Sequence, residues 1–258
     1  MTEFAVEEIP PYDIVALPAT ANTLECCSSS DAKTQLLQWN LDQTLQFQKF
    51  RFTGAFDSAS DYDRLLKDFL RNAECCAGLG IGGTPETPLK LQCDELTTEC
   101  MSMEYFDRLE ENGITTNGHI RGCFEEVYDG MTVQDKLREL LINEDSENAC
   151  IYSEKERKEL IYVLFKLLVV GGSMCQPDTN MERYLDMTKG LYRDLLTVYK
   201  APTTGNVTVS GKVFSITSVR GMDLFLHEEK TLLNTFIIII EPIRKEISVL
   251  KNDFKPYW

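Results

Sequence analysis

The segment that most constrains what this chain can fold into is Leu160-Ile161-Tyr162-Val163-Leu164-Phe165-Lys166-Leu167-Leu168-Val169-Val170. Ahead of it, Ser153-x-x-Glu156 has the pattern of a capping box, in which a serine hydroxyl and a glutamate carboxylate each satisfy an unpaired backbone N–H. Behind it, Gly171-Gly172 supplies a stop, because glycine takes up helix-ending conformations without a Cβ penalty. The pattern predicts one helix from Ser153 to Gly171. Its second half is apolar on nearly every side, so it is stable only where other elements enclose it. Interrupted by Lys166, it falls far short of the ~20 residues needed to span a bilayer, and so does the second apolar run, Phe236–Ile240.

Four further helices can be argued from pattern. Ser30 or Asp31 opens one that carries Leu36, Leu37 and Leu41 on one side. Ser60-x-x-Asp63 resembles a cap before Leu65, Leu66, Phe69 and Leu70, and Thr132-x-x-Asp135 a cap before Leu137, Leu140 and Leu141. The last runs from about Met181 to Val198 with Tyr184, Leu185, Thr188, Leu191, Tyr192 and Leu195 inward. After Pro202 the character changes. Val207–Val219 is rich in β-branched residues, with Gly211 as a bulge or turn. Thr235–Ile240 and Glu246–Leu250 read as strands joined by a turn at Pro242. Strands are also expected near Tyr12–Leu17 and across Phe47–Phe52. Helices and strands without βαβ alternation predict an α+β fold. Its helical central part would be joined by antiparallel strands from the N-terminal and C-terminal segments. At 258 residues, one domain over 1–258 can bury a sizeable core. Flexible stretches are expected at Met1–Pro11 and Ala77–Pro88.

Lys plus Arg number 26 against 41 Asp plus Glu, a formal charge of −15. That balance repels phosphate backbones and anionic bilayers, so neither nucleic acid nor a membrane is an expected partner. The start is acidic and lacks a basic-then-apolar leader, which predicts a soluble, intracellular chain. Nine cysteines, an odd number, argue against a disulfide framework in such a compartment. Gly78-x-Gly80-x-x-Gly83 matches the dinucleotide fingerprint by letter. The fingerprint needs a strand before it and a helix after it, and Thr84-Pro85-Glu86-Thr87-Pro88 provides no helix start. His119 and Cys123 could meet on one helical turn, but a zinc site needs two more ligands at short spacing. No Cys-x-x-Cys and no Gly-x-Ser-x-Gly occurs. Catalytic, cofactor-binding and metal-binding residues are therefore all assigned as none, and no cofactor is expected. The run Glu144-Asp145-Ser146-Glu147 reads as a solvated face or a contact for a basic partner, with Ser146 as a helix cap. Trp39, Phe47, Phe50 and Phe52 are expected to form one core cluster. In the tail, Phe254, Tyr257 and Trp258 are the candidate partner contacts, because tyrosine and tryptophan anchor interfaces.

Several odd local patterns occur in a fixed order: Met101-Ser102-Met103-x-Tyr105-Phe106-x-Arg108-Leu109, Gly118-His119-Ile120, Glu144-Asp145-Ser146-Glu147, Leu164-Phe165-Lys166, Gly171-Gly172-x-x-Cys175-Gln176, and Tyr184-Leu185-x-x-Thr188-Lys189-x-x-Tyr192-x-Asp194-Leu195. Leu17-Pro18, Leu36-x-x-Trp39, Val213-Phe214 and Pro242-Ile243-Arg244-Lys245 extend the series to both ends, leaving about Asp57–Cys100 unmatched. Together they resemble the cilia- and flagella-associated protein 300 family. The resemblance implies a non-catalytic protein of the cytoplasm and the cilium or flagellum, including its axoneme. There it would support outer and inner dynein arm assembly, and so ciliary motility, through contacts with dynein arm assembly factors and intraflagellar transport proteins. Two competing readings are a fixed structural part of the axoneme and an enzyme built around His119, Cys123 and Cys175.

Overall fold

A computed structural model of the chain describes residues 12–128, 131–172, 174–200, 207–226 and 233–254. Its strands of four residues or more, in chain order, are β1 (Asp13–Ala16), β2 (Leu45–Thr53), β3 (Leu91–Leu96), β4 (Gly122–Tyr128), β5 (Met131–Asp135), β6 (Lys212–Val219), β7 (Thr235–Glu241) and β8 (Glu246–Asn252). Six of them form one sheet in the order β1-β2-β8-β7-β6-β3, antiparallel at every step. The two ends of the chain thus meet in the middle of the sheet, where β2 pairs β8 from Leu45↔Asn252 to Arg51↔Glu246. The fold is α+β in a single domain.

Successive side chains of a strand point to opposite faces, and here both faces are covered. Phe236, Ile238 and Ile240 pack on one side with Phe50, Phe52, Ile247 and Val249. Ile237, Ile239 and Leu250 pack on the other. This is why Phe236–Ile240 is apolar without alternation. It also divides the aromatic cluster expected from the sequence. Phe50 and Phe52 lie on one face, whereas Phe47 and Trp39 belong to the other.

The helices are α1 (Ser30–Gln38), α2 (Ser60–Arg71), α3 (Ala73–Gly78), α4 (Arg108–Glu111), α5 (Lys136–Ile142), α6 (Glu154–Arg157), α7 (Leu160–Val170) and α8 (Met181–Leu195). α2 and α3 cover the Phe50 face with Leu65, Leu66, Phe69, Leu70, Cys75 and Cys76. The thicker layer on the opposite face is built from α1, α5, α7 and α8. At its centre is α7, with Leu160, Ile161, Leu164, Leu168 and Val169 all 0% exposed. The enclosure demanded by its sequence is met.

Several expected boundaries differ. The capping box at Ser153 and Glu156 forms, but its helix ends at Arg157 and α7 restarts at Leu160. Between them Glu159 is extended (φ −69°, ψ 133°) because Thr97, just past β3, inserts there. Thr97 N donates to Lys158 O (2.9 Å) and Leu160 N donates to Thr97 O (2.9 Å). The buried Glu159 carboxylate accepts from Thr97 Oγ1 (2.7 Å) and Cys100 N (3.2 Å). Thr132 lies in β5, and the cap of α5 is Asp135, which accepts from Arg138 N at 2.8 Å. No side chain caps α2 at Ser60. There Asp61 accepts from Asp57 N and Ser58 N, each at 2.9 Å. Ser29 caps α1; Leu36 is buried, Leu37 is 63% exposed, and Leu41 lies beyond the helix. α8 stops at Leu195, short of Val198.

Of the stretches expected to be flexible, 1–11 lies outside the described residues. In 77–88, Ala77 and Gly78 close α3, Gly82–Gly83 pairs with Met222–Asp223, and Thr84 N and Glu86 N donate to Gly221 O and Arg220 O.

Candidate interaction surface

Three of the sequence patterns quoted above, Leu36-x-x-Trp39, Gly171-Gly172-x-x-Cys175-Gln176 and the series from Tyr184, converge on a buried knot. The Arg138 guanidinium, 8% exposed, pairs with Asp135 at 2.7 Å. It also donates to Val169 O, to Tyr184 Oη at 3.2 Å and to Cys175 Sγ at 3.6 Å. Tyr184 Oη in turn accepts from Asp178 N at 2.9 Å. Gly172 N donates to Trp39 O (2.8 Å), and Gln176 N donates to Gln38 O (2.7 Å). Thr188 on the same helix bonds back to Tyr184 O at 2.7 Å. The buried guanidinium is matched inside the domain by Asp135, Val169 O and Tyr184 Oη, which is what makes a buried charge tolerable; the buried Trp39 indole N–H has no partner among the described residues. Its role is to lock α1, α5, α7 and α8 together.

The titratable groups singled out from the sequence lie in different surroundings. His119 is exposed on a two-residue strand paired with Thr115–Thr116. Cys123 is half-buried at the base of β4, and Cys175 sits in the Arg138 knot. Among the described residues, no three His, Cys, Asp or Glu side chains converge as metal ligands. Burial pushes the Cys75 thiol up to about 12 and the Cys76 thiol up to about 11, which keeps both protonated and inert. Burial likewise raises the Cys175 thiol, against the opposing pull of Arg138. Cys26 and Cys27 lie side by side with sulfurs 3.6 Å apart. Their mutual hydrogen bond is the main cause that raises Cys26 and lowers Cys27.

A cleft of 350 Å³ separates α7 from the sheet, lined by Tyr162, Lys166, Ser215, Thr217 and Phe225 among others. Burial pushes the Lys166 ammonium below its usual range.

In the tail, Phe254 is 4% exposed and packs into the larger core; its backbone N donates to Asn234 Oδ1 at 2.9 Å. Phe254 is thus an internal residue. Tyr257 and Trp258 lie outside the described residues. The acidic run behaves in part as expected, since Ser146 caps the short 3₁₀ turn Glu147–Ile151 by accepting from Asn148 N.

The surface that sequence reasoning missed is the hairpin of β4 and β5. It pairs Tyr128↔Met131, Val127↔Thr132 and Glu126↔Val133, then Gly122↔Asp135 after an irregularity. It forms a two-stranded sheet separate from the main one. Cys123, Tyr128, Met131 and Val133 turn toward the domain core. Phe124 and Val127 turn away from it, 93% and 67% exposed. An aromatic exposed to that degree beside an exposed valine is an unburied apolar patch of the kind that marks contact sites. A signal for it was present in the sequence: Asp129-Gly130 lies between two runs of β-forming residues, a strong local hairpin signature.

These features define a three-layer α+β protein with a locked helical layer and an exposed apolar hairpin. The chain belongs to the cilia- and flagella-associated protein 300 family, whose model matches residues 13–252. It is 32% identical over 258 residues to the cilia- and flagella-associated protein 300 of Chlamydomonas reinhardtii, covering 95% of this chain and 98% of that one. It is 27% identical over 225 residues to the protein of the same name from Paramecium tetraurelia, covering 86% of this chain and 87% of that one. No solved structure matches it.

Proposed function

We propose that this protein is a non-catalytic component of the cilium or flagellum and its cytoplasmic supply route, and that it supports assembly of outer and inner axonemal dynein arms. The observation that carries the reading is the family match, which runs from β1 to the end of β8 and so takes in almost the whole described fold. Three of the patterns within that match meet in the Arg138 knot, which supports a role resting on a rigid, presented surface. In this reading the protein acts by protein–protein contact, with dynein arm assembly factors and intraflagellar transport proteins as partners.

Deletion of the gene in a ciliated cell, followed by electron microscopy of axoneme cross-sections and affinity capture of the tagged protein, tests this. Loss of both rows of arms, with assembly or transport proteins in the captured fraction, is the expected result. Axonemes that keep both rows overturn it.

A further inference from the structure

We infer that the β4–β5 hairpin is a docking arm for an extended, lysine- or arginine-bearing segment of a partner protein, which adds to the hairpin as a further strand. This rests on the proposed function and names the chemistry of the contact. Three observations meet at this site.

The first is the unburied apolar pair. Phe124 and Val127 point outward together because the pairing irregularity lies between Gly122 and Glu126, which breaks strict alternation along β4. The second is the edge. Neither β4 nor β5 has a further strand beside it among the described residues, so backbone donors and acceptors remain for a partner strand. Strand addition takes affinity from main-chain bonds and specificity from alternate side chains.

The third is charge. Glu125 and Glu126 are exposed on β4, and Glu139 of α5 faces Cys123 and Tyr128 from below. Their bonds are to Gln134 Nε2 at 2.6 Å, Tyr128 Oη and Ser146 Oγ at 3.0 Å, respectively. None is in an ion pair among the described residues. Asp135 is already neutralised by Arg138, and Lys136 acts on the neighbouring Cys123. Three carboxylates outside any ion pair among the described residues favour a cationic occupant. A second copy of this chain would bring the same carboxylates together on a body of charge −15, a like-charge arrangement that interfaces avoid.

The test is Phe124→p-benzoylphenylalanine in the full-length chain, photo-cross-linked in ciliated cells, with mass spectrometry locating the linked peptide. The same probe at the exposed Leu37 on α1 serves as control. The expected product joins position 124, but not position 37, to a segment of another protein that carries a net positive charge and alternates apolar with basic residues. Charge reversal by Glu125→Lys with Glu126→Lys is expected to lower that yield about tenfold. Phe124→Ala is expected to lower recovery of the same partner about tenfold. These side chains are exposed, so circular dichroism should show each variant folded.

A link to a neutral or acidic segment, a link to a second copy, an unchanged yield after charge reversal, or no link at position 124 overturns the inference. If ciliary assembly or transport proteins still co-purify in any of those cases, the proposed function stands and only the hairpin assignment falls. If they do not, both fall.

Discussion

Trp39 and Tyr184 stack with ring centroids 4.6 Å apart and planes 17° from parallel. Both are 0% exposed, and they tie the end of α1 to α8. The tyrosine hydroxyl beyond the stack accepts from Arg138 and from Asp178 N, so a single ring joins the apolar packing to the buried ion pair. Trp39→Ala should leave a large cavity and lower stability by about 3–5 kcal/mol. Tyr184→Phe keeps the stack but leaves Asp178 N without its acceptor and removes one of the acceptors of Arg138 Nη2, a loss of about 1–3 kcal/mol. Urea unfolding followed by circular dichroism gives both values, and equal losses for the two variants would contradict this division.

Gly171 ends α7 at φ +65°, ψ −157°, a region essentially reserved for glycine. A Cβ there would also lie 2.6 Å from Trp39 O and 2.7 Å from Cys175 Sγ. Gly118 shares a positive φ (+74°) but faces open space. Gly171→Ala should therefore destabilise severely, or prevent accumulation of folded protein. Gly118→Ala should lose only about 1–2 kcal/mol. Comparing the two midpoints of thermal unfolding checks whether the clash and the glycine-only backbone at Gly171 together cost more than a positive φ in open space.

Glu156 holds the capping box and pairs with Arg108 at 2.6 Å. Bonds from the Ser153 backbone and hydroxyl, then from Arg108, hold its carboxyl down at about 2. Its folded value is below the usual one, so its contribution is present above the ordinary carboxylate range and fades as pH falls through about 2. Glu156→Ala should lower stability by about 1 kcal/mol at neutral pH. The gap between the two proteins should narrow steadily from pH 4.5 toward pH 2 in acid unfolding titrations. A gap independent of pH would place the effect elsewhere.

Lys166 interrupts the apolar α7 and lines the cleft beside the sheet, with no hydrogen bond or ion pair among the described residues. Burial is the main cause that lowers its affinity for a proton. A lysine with a lowered folded value makes stability rise with pH between that value and the unfolded one near 10.4. Lys166→Met, which keeps the stem length, should stabilise the protein at pH 7. The advantage should shrink as pH approaches 10. Chemical denaturation at pH 7 and pH 10 measures it, and a destabilised Lys166→Met at pH 7 would show that the ammonium has a partner.

Much of the fold was legible in the chain. Leu160–Val170 could be stable only if enclosed, and α7 is the enclosed helix. Phe236–Ile240 is apolar at every position, and it lies in a strand buried on both faces. Part of the family series was legible in physical terms too: Gly171-Gly172, Trp39 and Tyr184 meet in the knot, where a Cβ on either glycine would clash and the two rings stack. What stayed hidden depended on distant residues. Thr97 breaks the helix at Glu159 by bonding to the backbone on both sides of it, and nothing near position 159 announces a partner more than sixty residues away. Phe254, an apparent tail anchor, turns inward because Asn234 and the larger core receive it. Phe124 and Val127 stand exposed because an irregularity in pairing across β4 and β5 turns both outward. Local sequence sets which side chains need burial and which backbone shapes are allowed. Only the tertiary structure decides which needs are met inside the domain, and which are left at the surface for a partner.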